Sequence, residues 1–259
     1  MQKNFVFPRN EKQVLCATLT EHIFGLALSR YYVKFYLQDS TVQEMKAFVT
    51  EVKAALSKTL QSNEWMDEKT KSKAQLKLHR MISYIAIPSW IATDDDLNKV
   101  YDDMNKMQNG NYLENQITAN EWLSKQALKR IRSQNESIVD LLRGGPSEVN
   151  AFYALMENIF RVKIGVLNQP FYYHNAPFAV NFGSMGYVLG HEILHGFDNR
   201  GAQYDYVGHK KMWWSNETWE VYQKKVQCFV DQYNEFIEPV TGQKARALHW
   251  FYIDFNFGH

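Results

Sequence analysis

Apolar residues recur at helical spacing over most of the first 135 positions. Between Glu11 and Tyr36 the stripe is Val14, Leu15, Leu19, Ile23, Leu26 and Leu28. Ser40, with Gln43 three positions on, reads as a capping box that opens a second helix. Its buried face is Met45, Phe48, Val49, Val52, Leu56 and Leu60, ending near "QSNEW". Asp67 predicts the N-cap of a third helix, "DEKTKSKAQLKLHRMISYI", which Pro88 closes. "DDDLNKVYDDMNKMQNGNY" predicts a short helix and an Asn-Gly turn, and "TANEWLSKQALKRIRSQ" a further amphipathic helix.

The pattern changes at Gly144-Gly145-Pro146, which breaks the helical period. "VNAFYALMENIFRVKIGVL" has the extended character of one or two strands. Helical spacing returns over residues 183–198 and again over 219–237. In the latter, Trp219, Tyr222, Val226, Phe229, Val230 and Tyr233 form the apolar side. The expected class is therefore α+β and predominantly α-helical, with a small sheet.

Composition narrows the function classes. The 29 basic and 28 acidic residues leave a net charge of +1, too little to draw nucleic acid or an anionic membrane over distance. The longest apolar runs, such as "YIAIPSWIA" at 84–92, are too short to span a bilayer, so no transmembrane segment is expected in this chain. The first 16 residues lack the apolar core and cleavage site of a signal peptide. Cys16 and Cys228 make no disulfide framework by themselves. Sequons at Asn135 and Asn216 lean toward a secretory origin.

Chemistry concentrates in "GYVLGHEILHGFDNRG", residues 186–201. On a helix His191 and His195 lie one turn apart on one face, where two imidazoles can hold one Zn²⁺. Glu192, at the edge of that face, is placed as a general base. Asp198 is spaced to accept the second N–H of a ligand histidine. Gly190 and Gly196 bracket the motif with residues suited to close approach of another chain segment. The competing reading is a helix whose histidines are simply buried and hydrogen-bonded.

A catalytic zinc takes three protein ligands, and the third is not adjacent. The metzincin pattern needs glycine at 198 and histidine at 201, where the chain has Asp198 and Gly201. Glu217 and Glu220 are formal candidates, although a solvated first turn of the next helix accounts for both. His209 and His249 are lone histidines in loop or terminal context.

"VNAFY" (149–153), "GVLNQPFYY" (165–173), "VNFGSMGYVLGHEILHGFDNRGAQYD" (180–205), "WW" (213–214) and "QCFVDQY" (227–233) resemble the neprilysin and endothelin-converting-enzyme family of zinc metalloendopeptidases. "CATLT", "SRYYVKFYL" and "NEWMDEKTKSKAQLKL" resemble it in the helical half, so the likeness runs from about residue 10 to 243. The resemblance implies a zincin-like, thermolysin-type catalytic region at 146–243, a helical region at 1–145 like part of the family's N-terminal domain, and a divergent tail at 244–259. It also implies Zn²⁺ on His191 and His195, Glu192 as catalytic base and Asp198 as orienting partner. Asn150 and Ala151 would bind the backbone of a peptide substrate.

There are departures. The family's third ligand belongs to a downstream Glu-Asn-x-x-Asp motif, followed by a histidine and an arginine that stabilise the transition state. "ARALHWFYIDFNFGH" contains no such motif, and Asp254 stands in unmatched surroundings. "VKIG" at 162–165 replaces the family's Phe-Pro-Ala-Gly. In the family the positions of Cys16 and Cys228 pair with cysteines outside this region, so the two are not expected to bond to each other. The resemblance implies a partial peptidase for small peptides, from a parent family often membrane-anchored with an extracellular ectodomain. The alternative is an inactive relative that binds peptides or a partner without cleaving them.

Overall fold

The structure is a computed structural model, and it describes residues 11–37, 39–88, 90–91, 93–104, 107–132 and 145–244. Its helices are α1 (Glu11–Tyr36), α2 (Asp39–Ser62), α3 (Glu68–Arg80), α4 (Asp94–Tyr101), α5 (Tyr112–Arg132), α6 (Phe178–Asn181), α7 (Tyr187–Leu194) and α8 (Asn216–Glu235). Strands β1 (Ile82–Ile85), β2 (Ala151–Ala154) and β3 (Ile159–Val162) form one sheet in the order β1-β3-β2. The fold is α+β and mostly helical. Among the described residues no helix is long and apolar enough to cross a membrane.

The chain forms two compact units that do not divide at a single point in the sequence. The first comprises Met1–Asp39, Ile85–Asn150 and Lys163–Leu167; the second comprises Ser40–Tyr84, Ala151–Val162 and Asn168–His259. In the first unit, Ile23, Leu26, Ile91, Leu97, Val100, Met104, Ala119 and Trp122 close into one apolar cluster. Tyr101 stacks on Trp122 with ring centroids 5.1 Å apart. α1 bends at Phe24, whose φ of −107° and ψ of 20° leave the helical region. Thr93 and Asp96 form a reciprocal capping box that starts α4. Gly110, at φ 83°, completes the Asn-Gly turn before α5.

The second unit carries the sheet up to Tyr84 of β1, together with nearly all of α2 and the whole of α3, α6, α7 and α8. β2 and β3 make an antiparallel hairpin with Ala151 opposite Val162 and Ala154 opposite Ile159. Two expectations need correction. α2 begins at Asp39, so Ser40 lies inside its first turn rather than at the N-cap. Its hydroxyl instead bonds Glu44, one turn on. The third helix ends at Arg80, and Met81 turns extended (φ −63°, ψ 121°). "ISYI" then forms β1, because pairing beside β3 satisfies its backbone as an edge strand.

Asp67 joins the N-termini of α3 and α8. Its Oδ1 accepts the Thr70 N–H at 2.9 Å, an N-cap, and its Oδ2 accepts the Thr70 hydroxyl at 2.8 Å. The same Oδ2 accepts the hydroxyls of Ser215 and Thr218. Ser215 in turn caps α8 by accepting the Thr218 N–H at 3.1 Å. Hydroxyls from Ser215 and Thr218 hold the Asp67 carboxyl well below the usual carboxylate range, with the Thr70 N–H adding to them.

Candidate metal centre

α6, a π turn over Phe182–Gly186, and α7 follow one another without a break. A π turn holds one residue more than an α turn, so it re-phases the helix just before the histidine pair. The α-helix ends at Leu194, with His195 at the C-cap still in helical conformation. The chain then folds back sharply: the Asp198 N–H donates to the Leu194 carbonyl at 2.9 Å. Gly201 makes that turn possible, while Gly196 gives room to the flexible end of Met81. A Cβ at Gly201 would lie 1.9 Å from the His195 carbonyl oxygen, and one at Gly196 would lie 2.8 Å from Met81 Cε. Among the described residues nothing would lie within 4 Å of a Cβ at Gly190, so none of them makes the close approach expected there from the sequence.

The helix brings His191 and His195 together, their Nε2 atoms 2.9 Å apart and their rings edge to face. Two nitrogens bound to one tetrahedral zinc at about 2.0–2.1 Å would be separated by about 3.3 Å, so the pair is close to ligating distance. Asp198 Oδ2 lies 2.7 Å from His195 Nδ1. Asp198 Oδ1 accepts the N–H groups of Arg200 at 2.8 Å and Gly201 at 2.7 Å. The carboxylate is thus fixed from one side and fixes His195 from the other. Burial lowers the His191 pKa, helped by His195 and opposed by Asp198, which favours the neutral ring a metal requires.

Glu192 is 5% exposed, and its Oε2 is buried with no hydrogen-bond partner. Burial pushes its pKa up to about 7, against the pull of His195. Among the described residues, His191, Glu192 and His195 alone gather metal-binding atoms, all within 4.8 Å of one another. The orphaned carboxylate oxygen and the paired Nε2 atoms fit a divalent metal such as zinc. Glu217 and Glu220 are exposed on α8 and do not join the group, and neither does exposed His209. His249, Asp254 and the whole 245–259 tail lie outside the described residues, as does Asn135.

Ala151 opens β2, which packs against α7 and forms an edge of the sheet. Asn150 is exposed and belongs to the first unit; its carbonyl accepts the Lys163 N–H at 3.0 Å and its side chain bonds Glu148 at 3.4 Å. Cys16 and Cys228 are both exposed free thiols.

A buried polar network behind the histidines escaped the sequence reading. Lys77 of α3 is 1% exposed and donates to the carbonyls of Gly201 at 2.7 Å and Tyr204 at 2.5 Å. Burial pushes its pKa down to about 7, opposed by the charges of Asp198 and Asp205. Asn158, in the β2–β3 turn at φ 55°, donates to the Lys77 carbonyl at 3.1 Å and the Tyr206 carbonyl at 3.0 Å. It accepts the Tyr153 hydroxyl at 2.7 Å. One signal was available: Lys77 interrupts the stripe Thr70, Ala74, Leu78, Met81 that the helical period marks as buried.

Two models, each described as Peptidase family M13, match residues 2–88 and 150–249, together most of the chain. The chain is 32% identical over 227 residues to Neprilysin-1 of Trittame loki, covering 88% of itself and 31% of that protein. Against Endothelin-converting enzyme 1 of Homo sapiens it is 31% identical over 231 residues, covering 88% of itself and 30% of that protein. It therefore spans about a third of the length of these relatives. Among solved structures, the Haemonchus galactose containing glycoprotein complex superposes with a TM-score of 0.75 at 25% identity, over 92% of this chain and 38% of that one. PEPO from Lactobacillus rhamnosis gives 0.69 at 22% identity, over 86% and 34% respectively, a likeness of fold. With both halves of the chain matched and the histidine pair in place, the chain belongs to Peptidase family M13, the family of the neprilysins and endothelin-converting enzymes.

Proposed function

We propose that residues 146–243 carry part of a zinc-dependent endopeptidase centre that hydrolyses peptide bonds of small peptides. The observation that carries this reading is Glu192, a buried carboxylate with an unpartnered oxygen beside two converging ring nitrogens. His191 and His195 would hold the metal. Zinc, when bound, supplies the Lewis acidity that polarises a peptide carbonyl. Glu192 takes the proton of the attacking water at Oε2 and passes it on to the leaving amine. Asp198 keeps the His195 proton on Nδ1, so that the Nε2 lone pair is the one turned to the metal. Ala151 and the edge strand β2 that it opens would receive the backbone of the substrate as an added strand.

On this reading turnover requires a third protein ligand, and among the described residues no further metal-binding side chain joins His191, Glu192 and His195. Residues 1–259 alone are expected to show negligible peptidase activity. A longer chain that furnishes a carboxylate ligand should cleave peptides in a zinc-dependent way. In it, Glu192→Gln should abolish turnover with zinc still bound, since an amide of the same shape cannot accept the proton. Comparable cleavage by that variant would rule out Glu192 as the base. A second reading, peptide binding without cleavage, is favoured by the half-buried edge strand β2 packing against α7 while no third ligand joins the pair and Glu192 among the described residues. Peptide binding undiminished by Glu192→Gln, with no cleavage by the longer chain, would select it. Both readings place the protein in an extracellular or plasma-membrane ectodomain setting, as the family resemblance implies.

A further inference from the structure

Lys77 sits at a position where the helical pattern calls for an apolar residue. Its neighbours on that face are Thr70, Ala74 and Leu78, all buried. Burying an amine there opposes folding unless its donors are used. Both contacts are backbone carbonyls, Gly201 at 2.7 Å and Tyr204 at 2.5 Å. The rings of Phe197 and Trp213 each lie 5.8 Å from Nζ and exclude water from it.

Gly201 works from both of its backbone ends. Its carbonyl accepts from Lys77, and its N–H donates to Asp198 Oδ1 at 2.7 Å. The other oxygen of that carboxylate stands 2.7 Å from His195 Nδ1. A continuous path therefore runs from the Lys77 amine through the backbone of one residue, Gly201, and one carboxylate to a ligand ring. The near end is also held, because Asn158 donates to the carbonyl of Lys77 itself.

We propose that Lys77 is a positioning residue for His195: by holding the Gly201 and Tyr204 carbonyls it fixes the 198–204 turn, and so fixes the Asp198 carboxylate that orients the ring. This rests on the metal role given to His195 above, but the main test is independent of metal. The side-chain ¹⁵N resonances of His195 in the metal-free 259-residue chain report which ring nitrogen is protonated and whether Nδ1–H is hydrogen-bonded. Zn²⁺ affinity, from competition with a chromophoric chelator, is the second readout.

Lys77→Met should lose the single Nδ1–H form of His195 in favour of a tautomer mixture, and should weaken Zn²⁺ binding by about 10-fold, as loss of a supporting shell does. Lys77→Gln, which keeps one donor, should fall between the two, and it stands in if the methionine variant does not fold. Thr70→Val, on the same helix but bonded to Asp67, should lower thermal stability without moving either readout. The proposal is overturned if a folded Lys77→Met or Lys77→Gln chain keeps the wild-type His195 resonances. It is equally overturned if Thr70→Val shifts them as far. Zinc binding that survives His195→Ala would sink the metal assignment instead, while the resonances would still decide the role of Lys77.

Discussion

Asp67 and Glu192 are carboxylates of the same unit in opposite circumstances. Asp67, at the junction of α3 and α8, collects three hydroxyls and a backbone N–H, and its charge is stabilised. Glu192, on the metal-site helix, is buried with one oxygen unpartnered, and its charge is penalised. The first arrangement spends every acceptor on holding helices in place. The second keeps an acceptor in reserve at a point where two metal-binding nitrogens meet. A surplus of donors marks a structural acid and a deficit marks a reactive one.

The largest effect that could break this contrast is on metal binding. His191→Ala removes one of two protein ligands and should weaken Zn²⁺ binding by more than the roughly 10–100-fold typical of a supporting residue. Calorimetric titration of both chains measures it, and unchanged affinity would remove Glu192 from any metal site.

Next comes the pH dependence, which should have opposite signs in the two regions. Glu192 has a folded pKa of about 7, above its ordinary 4.5, so the metal-free fold binds the extra proton. That contribution is complete below 4.5 and disappears as pH rises through 7, a change of roughly 3 kcal/mol. Glu192→Gln should flatten that segment of the metal-free stability curve. For Asp67 the folded pKa is depressed, so its contribution is present above the ordinary 3.8 and is lost as pH falls through the folded value. Asp67→Asn should flatten the acid end instead. Urea unfolding across the pH range separates the two variants.

Smaller effects sharpen the comparison. Asp198→Asn should reduce Zn²⁺ affinity by about 10–100-fold with the helix intact. Asp67→Ala should cost about 1–2 kcal/mol through the lost α3 cap, and leave Zn²⁺ affinity unchanged. Ser215→Ala should cost about 1 kcal/mol by uncapping α8, with the same indifference to zinc.

How much of this was legible in the sequence follows from how far each contact reaches. His191, His195 and Asp198 were identifiable because four- and three-residue spacings fix their geometry within one helical turn and its exit. The Asp67 cap of α3 was legible for the same reason, whereas its bonds to Ser215 and Thr218 span 148 and 151 residues and leave no local trace. The Lys77–Gly201 contact spans 124 residues. The helical period runs on through "ISYI", yet these residues form β1, because their identity is set by pairing beside β3 across the sheet. The π turn was invisible, since one extra residue in a turn changes no composition. Tyr222, Val226 and Val230 of α8 are buried as the helical period requires, while Trp219, Phe229 and Tyr233 are only half-buried.

The compactness of the histidine–aspartate group bears on how zinc acts on folding. His191, His195 and Asp198 fall within eight consecutive residues, so an unfolded chain needs only one transient helical turn to bring them together. The unfolded ensemble therefore has its own affinity for zinc, and mass action then stabilises the native state only by the difference between the two affinities. Saturating zinc should raise the melting temperature less than the native affinity alone implies. Part of the metal's free energy is returned on unfolding because the denatured chain retains the ion.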